Sequence, residues 1–233
     1  MTRQWDDPRI RAGMKSQLEL RRRMIDEGAR PIGWKVGFGA PAARERLSTT
    51  APLVGFLTDA TVLQSGAAVS IGGWTRPVVE PEVAVHMAAD LGEGADRDAV
   101  RAAIGGLGPA IELADVDLEP LEVEPILAGN LFHRGLVLGR PDHGRAGGRL
   151  EGLTARVRSD EAEVAATSDL EVLTGDIVSI VGLVADLLKA AGERLRAGDV
   201  IIAGSVIPPI PGVDPAEITF QLEPCDPIRV RLE

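Results

Sequence analysis

Two glutamates two residues apart, Glu80 and Glu82, stand in the run PVVEPEVAVHM at Pro77–Met87. Its β-branched richness, with Val79, Val83 and Val85 alternating against Glu80, Glu82, Ala84 and His86, predicts a strand. Side chains two apart on a strand share a face, so the two carboxylates repel unless protons or a cation come between them. A hard divalent cation such as Mg²⁺ or Mn²⁺ neutralises such a pair, and a third carboxylate completes a common protein share of its octahedron. Glu112, in the apolar setting PAIEL at Pro109–Leu113, is the candidate for that third ligand. Spacing alone equally accommodates a solvent-facing pair on a half-exposed strand, with Glu112 in an ordinary salt bridge.

The elements around these residues are readable at lower resolution. Ile10, Met14, Leu18 and Met24–Ile25 recur at helical spacing between Pro8 and Glu27, with Gly28 suited to end the helix. Segments 53–57, 61–64 and 67–71 read as short strands, and Pro81 is expected at a sheet edge or bulge. The spacing predicts a helix over Asp96–Leu107, strands at Pro109–Ala114, Gly135–Leu138 and Leu153–Arg158, and a polar connecting patch at Ser159–Ser168. The clearest helix runs from Asp176 to Ala191, on Ile177, Ile180, Val181, Val184, Leu187 and Leu188. A strand at Val200–Ala203, a loop at Gly204–Gly212 and strands near Ile218–Leu222 and Ile228–Leu232 complete the chain. Many short strands and few helices predict an α+β fold around a curved or barrel-like sheet.

The 233 residues suit one catalytic domain, 1–233, with 1–30 as an N-terminal helical segment. A formal charge of −10 argues against a nucleic-acid partner, which needs clustered Lys and Arg. The N-terminal residues do not read as a secretory signal and no run of about 18 apolar residues spans a bilayer. No membrane association and a cytoplasmic location are therefore expected. The single cysteine, Cys225, has no intrachain partner. Gly33 to Gly39 lacks the G-x-G-x-x-G spacing of a dinucleotide loop.

The segments GWKVGF at Gly33–Phe38, VEPEVAV with DL within Val79–Leu91, PAIEL at Pro109–Leu113, GLVLG at Gly135–Gly139 and LRAGDVIIAGS at Leu195–Ser205 occur in one order. That ordered set, covering nearly the whole chain, resembles the 2-keto-4-pentenoate hydratase and 4-oxalocrotonate decarboxylase branch of the fumarylacetoacetate hydrolase superfamily. The resemblance implies that Glu80, Glu82 and Glu112 are metal ligands, the third being Glu instead of the Asp of the hydrolases. It implies that Lys35, in a G-x-K-x-G segment, binds substrate or handles protons. It further implies a homo-oligomer and a small 2-oxo acid as the substrate.

Departures fall on the substrate side. Where the family carries a D-N-A-S-type segment, this chain has Gly129-Asn130-Leu131-Phe132-His133. Asn130 is retained as a candidate substrate-binding residue, and His133 enters as a candidate acid or base whose imidazole suits proton transfer near neutral pH. The family's acidic pair survives only as Asp59 beside Ala60, leaving Asp59 a catalytic candidate. A G-S-x-T-type loop is replaced by Gly204-Ser205-Val206-Ile207, with Ser205 a candidate carboxylate contact. The resemblance implies a metal-dependent lyase that hydrates a 2-hydroxy-alka-2,4-dienoate from aromatic or steroid ring breakdown. Decarboxylation of an oxalocrotonate- or oxaloacetate-like acid and hydrolysis of an acylpyruvate are the neighbouring reactions, and a catalytically weak assembly homologue is the alternative from another class.

Overall fold

The computed structural model describes residues 3–118, 122–212 and 215–233. Helix α1, Pro8–Asp26, begins with Pro8 at its first turn and Asp7 as N-cap, whose carboxylate accepts from Arg9 N. It buries Ile10, Met14 and Leu18, each worth roughly 1.5–3 kcal/mol against exposure. Gln17, also buried, donates to Val54 O and Leu127 O and so fixes the helix to two other parts of the chain.

There follow β1 (Pro31–Gly37), α2 (Pro41–Leu47), β2 (Leu53–Thr58), β3 (Val62–Leu63), β4 (Ala67–Val69) and β5 (Pro77–Met87). Next come α3 (Arg97–Ala103), β6 (Ile104–Asp115), α4 (Val123–Ala128), β7 (His133–Leu138), β8 (Thr154–Ser159) and β9 (Ala162–Thr167). The last elements are α5 (Ile177–Ala190), β10 (Val200–Ser205), β11 (Ile210–Pro211), β12 (Ala216–Glu223) and β13 (Ile228–Leu232). One mixed sheet has the order β2-β1-β10-β5-β6-β7-β3, with β11 on β5, and curls into a half-barrel; the other has the order β4-β13-β12-β8-β9. The expected α+β architecture with a curved sheet is what forms.

Several local expectations are corrected. The helix foreseen over Asp96–Leu107 stops at Ala103, and Ile104 already opens β6, which pairs with β5 along its whole length. Gly105 and Gly108 bring backbone close to Ala88 and Arg140, contacts that a side chain would obstruct, so sheet packing overrides helical periodicity there. The polar patch at Ser159–Ser168 contains β9, an exposed edge strand of mostly small residues, AEVAAT, in which no apolar and polar alternation marks a buried face. Pro81 is not on an edge strand: β5 lies between β10 and β6. The other expected setting, a bulge, is at hand: the β10–β5 register shifts between Ile202, opposite Ala84, and Ser205, opposite Glu82, the residue next to Pro81.

The curled sheet has two different faces. Val79, Val83, Val85 and Met87 join the large core that also takes residues of the second sheet and of α1 and α5. The inner face carries a small separate cluster of Leu57, Ala84, Ala110, Leu136, Val200 and Ile202. Lys35 pairs with Ile202 across β1 and β10, so it stands on that same inner face. At Gly33 (φ 149°) an added Cβ would lie 1.9 Å from Val200 O, so only glycine lets β1 enter at this distance from β10.

Candidate metal centre

Register assembles the three glutamates. Glu80 lies directly opposite Glu112 across the β5–β6 ladder, and Glu82 is two residues further along the same face of β5. Carboxylate oxygens of all three fall within 4.8 Å of one another. Glu82 and Glu112 are fully buried, whereas Glu80 is partly covered and faces an adjoining cavity.

The two fully buried carboxylates, Glu82 and Glu112, are each held through one of their two oxygens. Glu82 Oε2 accepts from Gly204 N at 2.7 Å, a contact made possible by the irregular turn of β10. Glu112 Oε1 accepts from Lys35 Nζ and from His133 Nδ1, the latter at 2.6 Å. The other oxygens, Glu82 Oε1 and Glu112 Oε2, have no hydrogen-bond partner among the described residues. Buried carboxylate oxygens left bare are costly unless a proton or cation meets them.

The electrostatics follow from burial. Loss of solvent, reinforced by the charge of Glu112, raises the Glu80 carboxyl to about 7 despite Lys35. Burial first, then Glu112 and Glu80, pushes Glu82 well above the usual carboxylate range. Glu112 goes the other way: burial opposes ionisation, but the Lys35 charge and the His133 hydrogen bond outweigh it and hold its pKa below the ordinary value. With all three ionised, three carboxylates outnumber the Lys35 ammonium and leave an excess of negative charge in the cluster. All-oxygen donors, two bare oxygens and that residual charge fit a hard divalent cation.

The remaining predicted residues are placed as follows. Lys35 is buried; besides Glu112 it donates to Leu131 O at 3.0 Å, and it lines the cavity. Asn130 engages both of its amide groups with the backbone of Phe56, Oδ1 accepting from Phe56 N at 2.8 Å and Nδ2 donating to Phe56 O at 3.0 Å. It thereby holds a turn in which Asn130, Leu131 and Phe132 all have positive φ, at 55°, 54° and 64°. His133 lies behind Glu112, its Nε2 2.9 Å from Thr61 Oγ1, and is not a wall of the cavity. Ser205 lines the cavity and donates to Ile207 O at 2.7 Å. Asp59 is not brought to the cluster: its carboxylate is at the surface, bound to Arg30 N and Nε, both at 2.7 Å.

Several contributors carry no sequence signal of their own. Leu131 and Gly204 act through backbone groups, and Thr61 through a hydroxyl on a short turn. Gly55 leaves room beside Lys35, since a Cβ there would lie 2.7 Å from Asn130 Oδ1 and 2.9 Å from Lys35 Cγ. The cavity, about 310 Å³, is otherwise walled largely by apolar side chains, including Phe38 and Phe132 with ring centroids 6.3 Å apart.

A half-barrel whose inner face presents three carboxylates and a lysine beside a cavity defines a divalent-cation enzyme scaffold, and comparison with known proteins gives its family. The profile of the fumarylacetoacetate (FAA) hydrolase C-terminal family matches residues 35–233, and the chain belongs to that family. A 2-hydroxyhexa-2,4-dienoate hydratase from Comamonas testosteroni is 29% identical over 199 residues, which are 83% of this chain and 75% of that relative. A 4-oxalocrotonate decarboxylase from Pseudomonas putida is 28% identical over 197 residues, 82% of this chain and 73% of the relative. Among solved structures, the 4-oxalocrotonate decarboxylase of Pseudomonas putida G7 complexed with magnesium and adipate superposes with a TM-score of 0.84 at 25% identity. That match covers 93% of this chain and 83% of the other. Among the described residues no helix is long and apolar enough to cross a membrane.

Proposed function

We propose that this protein is a divalent-metal-dependent lyase that hydrates a 2-hydroxy-alka-2,4-dienoate, a small 2-enol acid of the kind released in aromatic or steroid ring breakdown. The observation that carries the reading is the convergence of Glu80, Glu82 and Glu112, two of them with bare buried oxygens, beside a cavity that also exposes Lys35. The hydratase and decarboxylase names of the relatives support the same chemical class. Mg²⁺ or Mn²⁺ held by the three glutamates would supply positive charge against the negative charge that builds on the oxygens of a 2-oxo acid.

The protein's own residues divide the rest of the work. Gly204 N, Lys35 and His133 hold the carboxylates of Glu82 and Glu112 in position, so that their remaining oxygens need no reorganisation on binding. Lys35 has three N–H donors and two are used by Glu112 and Leu131. The third is available to a substrate oxygen or to proton transfer. In the proposed reaction the 2-hydroxyl loses its proton, the distal carbon gains one, and water adds across the remaining carbon–carbon double bond. His133, behind Glu112, serves in this reading to orient that ligand. Ser205, on the cavity wall, is the candidate contact for the substrate carboxylate, and Asn130 acts through the turn it holds.

Decarboxylation is the second reading, favoured by the close structural similarity to a decarboxylase. In it the same site accepts the electrons left when CO₂ departs. The proposal includes assembly into a homo-oligomer and a cytoplasmic location, with which the single, unpaired Cys225 is compatible. The test is to follow loss of dienol ultraviolet absorbance by chelator-stripped protein with and without Mg²⁺, alongside CO₂ release from 4-oxalocrotonate. Metal-dependent absorbance loss without CO₂ supports hydration. CO₂ release supports the second reading, and neither activity across a series of chain lengths would contradict both.

A further inference from the structure

The inner face of the half-barrel changes character along the β5–β6 ladder in a regular way, and Glu80 is the rung at which it meets the cavity. Ala84 opposite Gly108 forms the apolar floor; next come Glu82 opposite Ala110 and Glu80 opposite Glu112; then Val78 opposite Ala114. Val116 follows two residues beyond Ala114, and Val78, Ala114 and Val116 all line the cavity. At about 3.3 Å per residue, Ala114 stands roughly 7 Å along the strand from Glu112, and Val116 follows just past the strand's end. Val78, Ala114 and Val116 thus form the part of the cavity wall that continues outward from the glutamates along this ladder.

Among the described residues, no charged side chain lines that outer stretch. Among the described residues lining the cavity, Lys35 is the only cation, and it stands at the carboxylate belt. Arg76, next in register, is not a cavity wall; its guanidinium donates to Val116 O and Leu118 O at 2.9 and 2.8 Å. Residues 119–121 and 213–214 include no Lys or Arg. An anionic group carried into this stretch would lose its hydration without gaining a partner, whereas an apolar tail gains about 0.8 kcal/mol for each buried methylene.

We infer that the outer half of the cavity is an apolar tail site, and that this protein selects monocarboxylic 2-oxo or 2-enol acids with an uncharged tail over dicarboxylic ones. The inference rests on the 2-oxo acid reading above. It sets this chain apart from the similar decarboxylase structure, which is complexed with adipate, a dicarboxylate.

The test uses unreactive oxamates, which carry the same chelating head, with calorimetric titration of Mg²⁺-loaded protein. The probes are oxamate, N-butyl oxamate and its counterpart with a carboxylate at the chain end. The expected result is that the butyl probe binds about tenfold or more tighter than the ω-carboxylated one, and that Val116→Arg reverses or abolishes the ratio. If oxamate binds but the ω-carboxylated probe equals or exceeds the butyl probe, the tail-site inference is overturned while the 2-oxo acid reading stands. An unchanged ratio in Val116→Arg also overturns it, because Val116 would then not face the tail. If oxamate itself fails to bind in the presence of Mg²⁺, both fall together.

Discussion

At the residue scale the centre of the account is a set of carboxylates whose ionisation is opposed by burial and rewarded by a cation. Glu80 and Glu82 are both raised, and Glu80 titrates at about 7, so protons and metal compete for the same oxygens. Mg²⁺ affinity should therefore rise as pH increases from about 6 to about 8, with proton release on binding measurable in buffers of different ionisation heat. Stability of the metal-free protein should move in the opposite sense. Between the ordinary carboxylate value of 4.5 and about 7, Glu80 is ionised in the unfolded chain but protonated in the folded one. Stability thus falls through that window as pH rises, and saturating Mg²⁺ should remove the fall. Lys35 is the internal counter-charge of Glu112, with both side chains nearly inaccessible. Lys35→Met should cost about 3–5 kcal/mol in chemical denaturation, because it leaves a buried carboxylate unpaired.

At the element scale, the site depends on a turn and a strand that close around Lys35. The left-handed run Asn130–Phe132 is sparsely populated by non-glycine residues and costs of order 1–3 kcal/mol for each. Two hydrogen bonds from Asn130 to Phe56 hold it. Asn130→Ala should therefore destabilise the protein by about 2–3 kcal/mol and weaken metal binding, since Leu131 O is carried off Lys35 when the turn relaxes. Gly55→Ala tests the same packing from β2, where its methyl would press on Asn130 and Lys35. It should cost about 1–3 kcal/mol in urea unfolding.

Strand periodicity made Glu80 and Glu82 legible as a pair, because a two-residue repeat specifies a face. Glu112 was legible as a candidate, but its place opposite Glu80 depends on the β5–β6 register, which no local pattern encodes. β1, which presents Lys35, escaped strand assignment because Gly33 and Gly37 dilute its apolar run, although close approach to β10 requires Gly33. α2 and α4, of seven and six residues, are too short to show periodicity. Asn130 and His133 were legible as polar residues in a segment of interest. Their partners, a backbone on β2 and the far side of Glu112, were not, because only the folded chain brings them together.

At the scale of the whole molecule, the half-barrel stacks an apolar floor, a charged belt and an apolar cavity along one face, while its other face feeds the large core. Family membership accounts for the scaffold; the tail end of the cavity is where this chain's own residues decide what enters. Because the belt couples β1, β5, β6 and β10, metal binding should stabilise the entire fold. At a hundredfold excess over Kd a ligand adds about 2.7 kcal/mol, which corresponds to a Tm rise of roughly 5–10 °C for a chain of this size in differential scanning calorimetry. The most direct test is titration of chelator-stripped protein with Mg²⁺ and Mn²⁺, with and without oxalate, beside Glu80→Gln and Glu112→Gln. The account predicts saturable binding by the unaltered protein, tightened by oxalate and lost in both variants. Failure of the unaltered protein to bind either cation at millimolar concentration, or retention of full affinity by the variants, would contradict it.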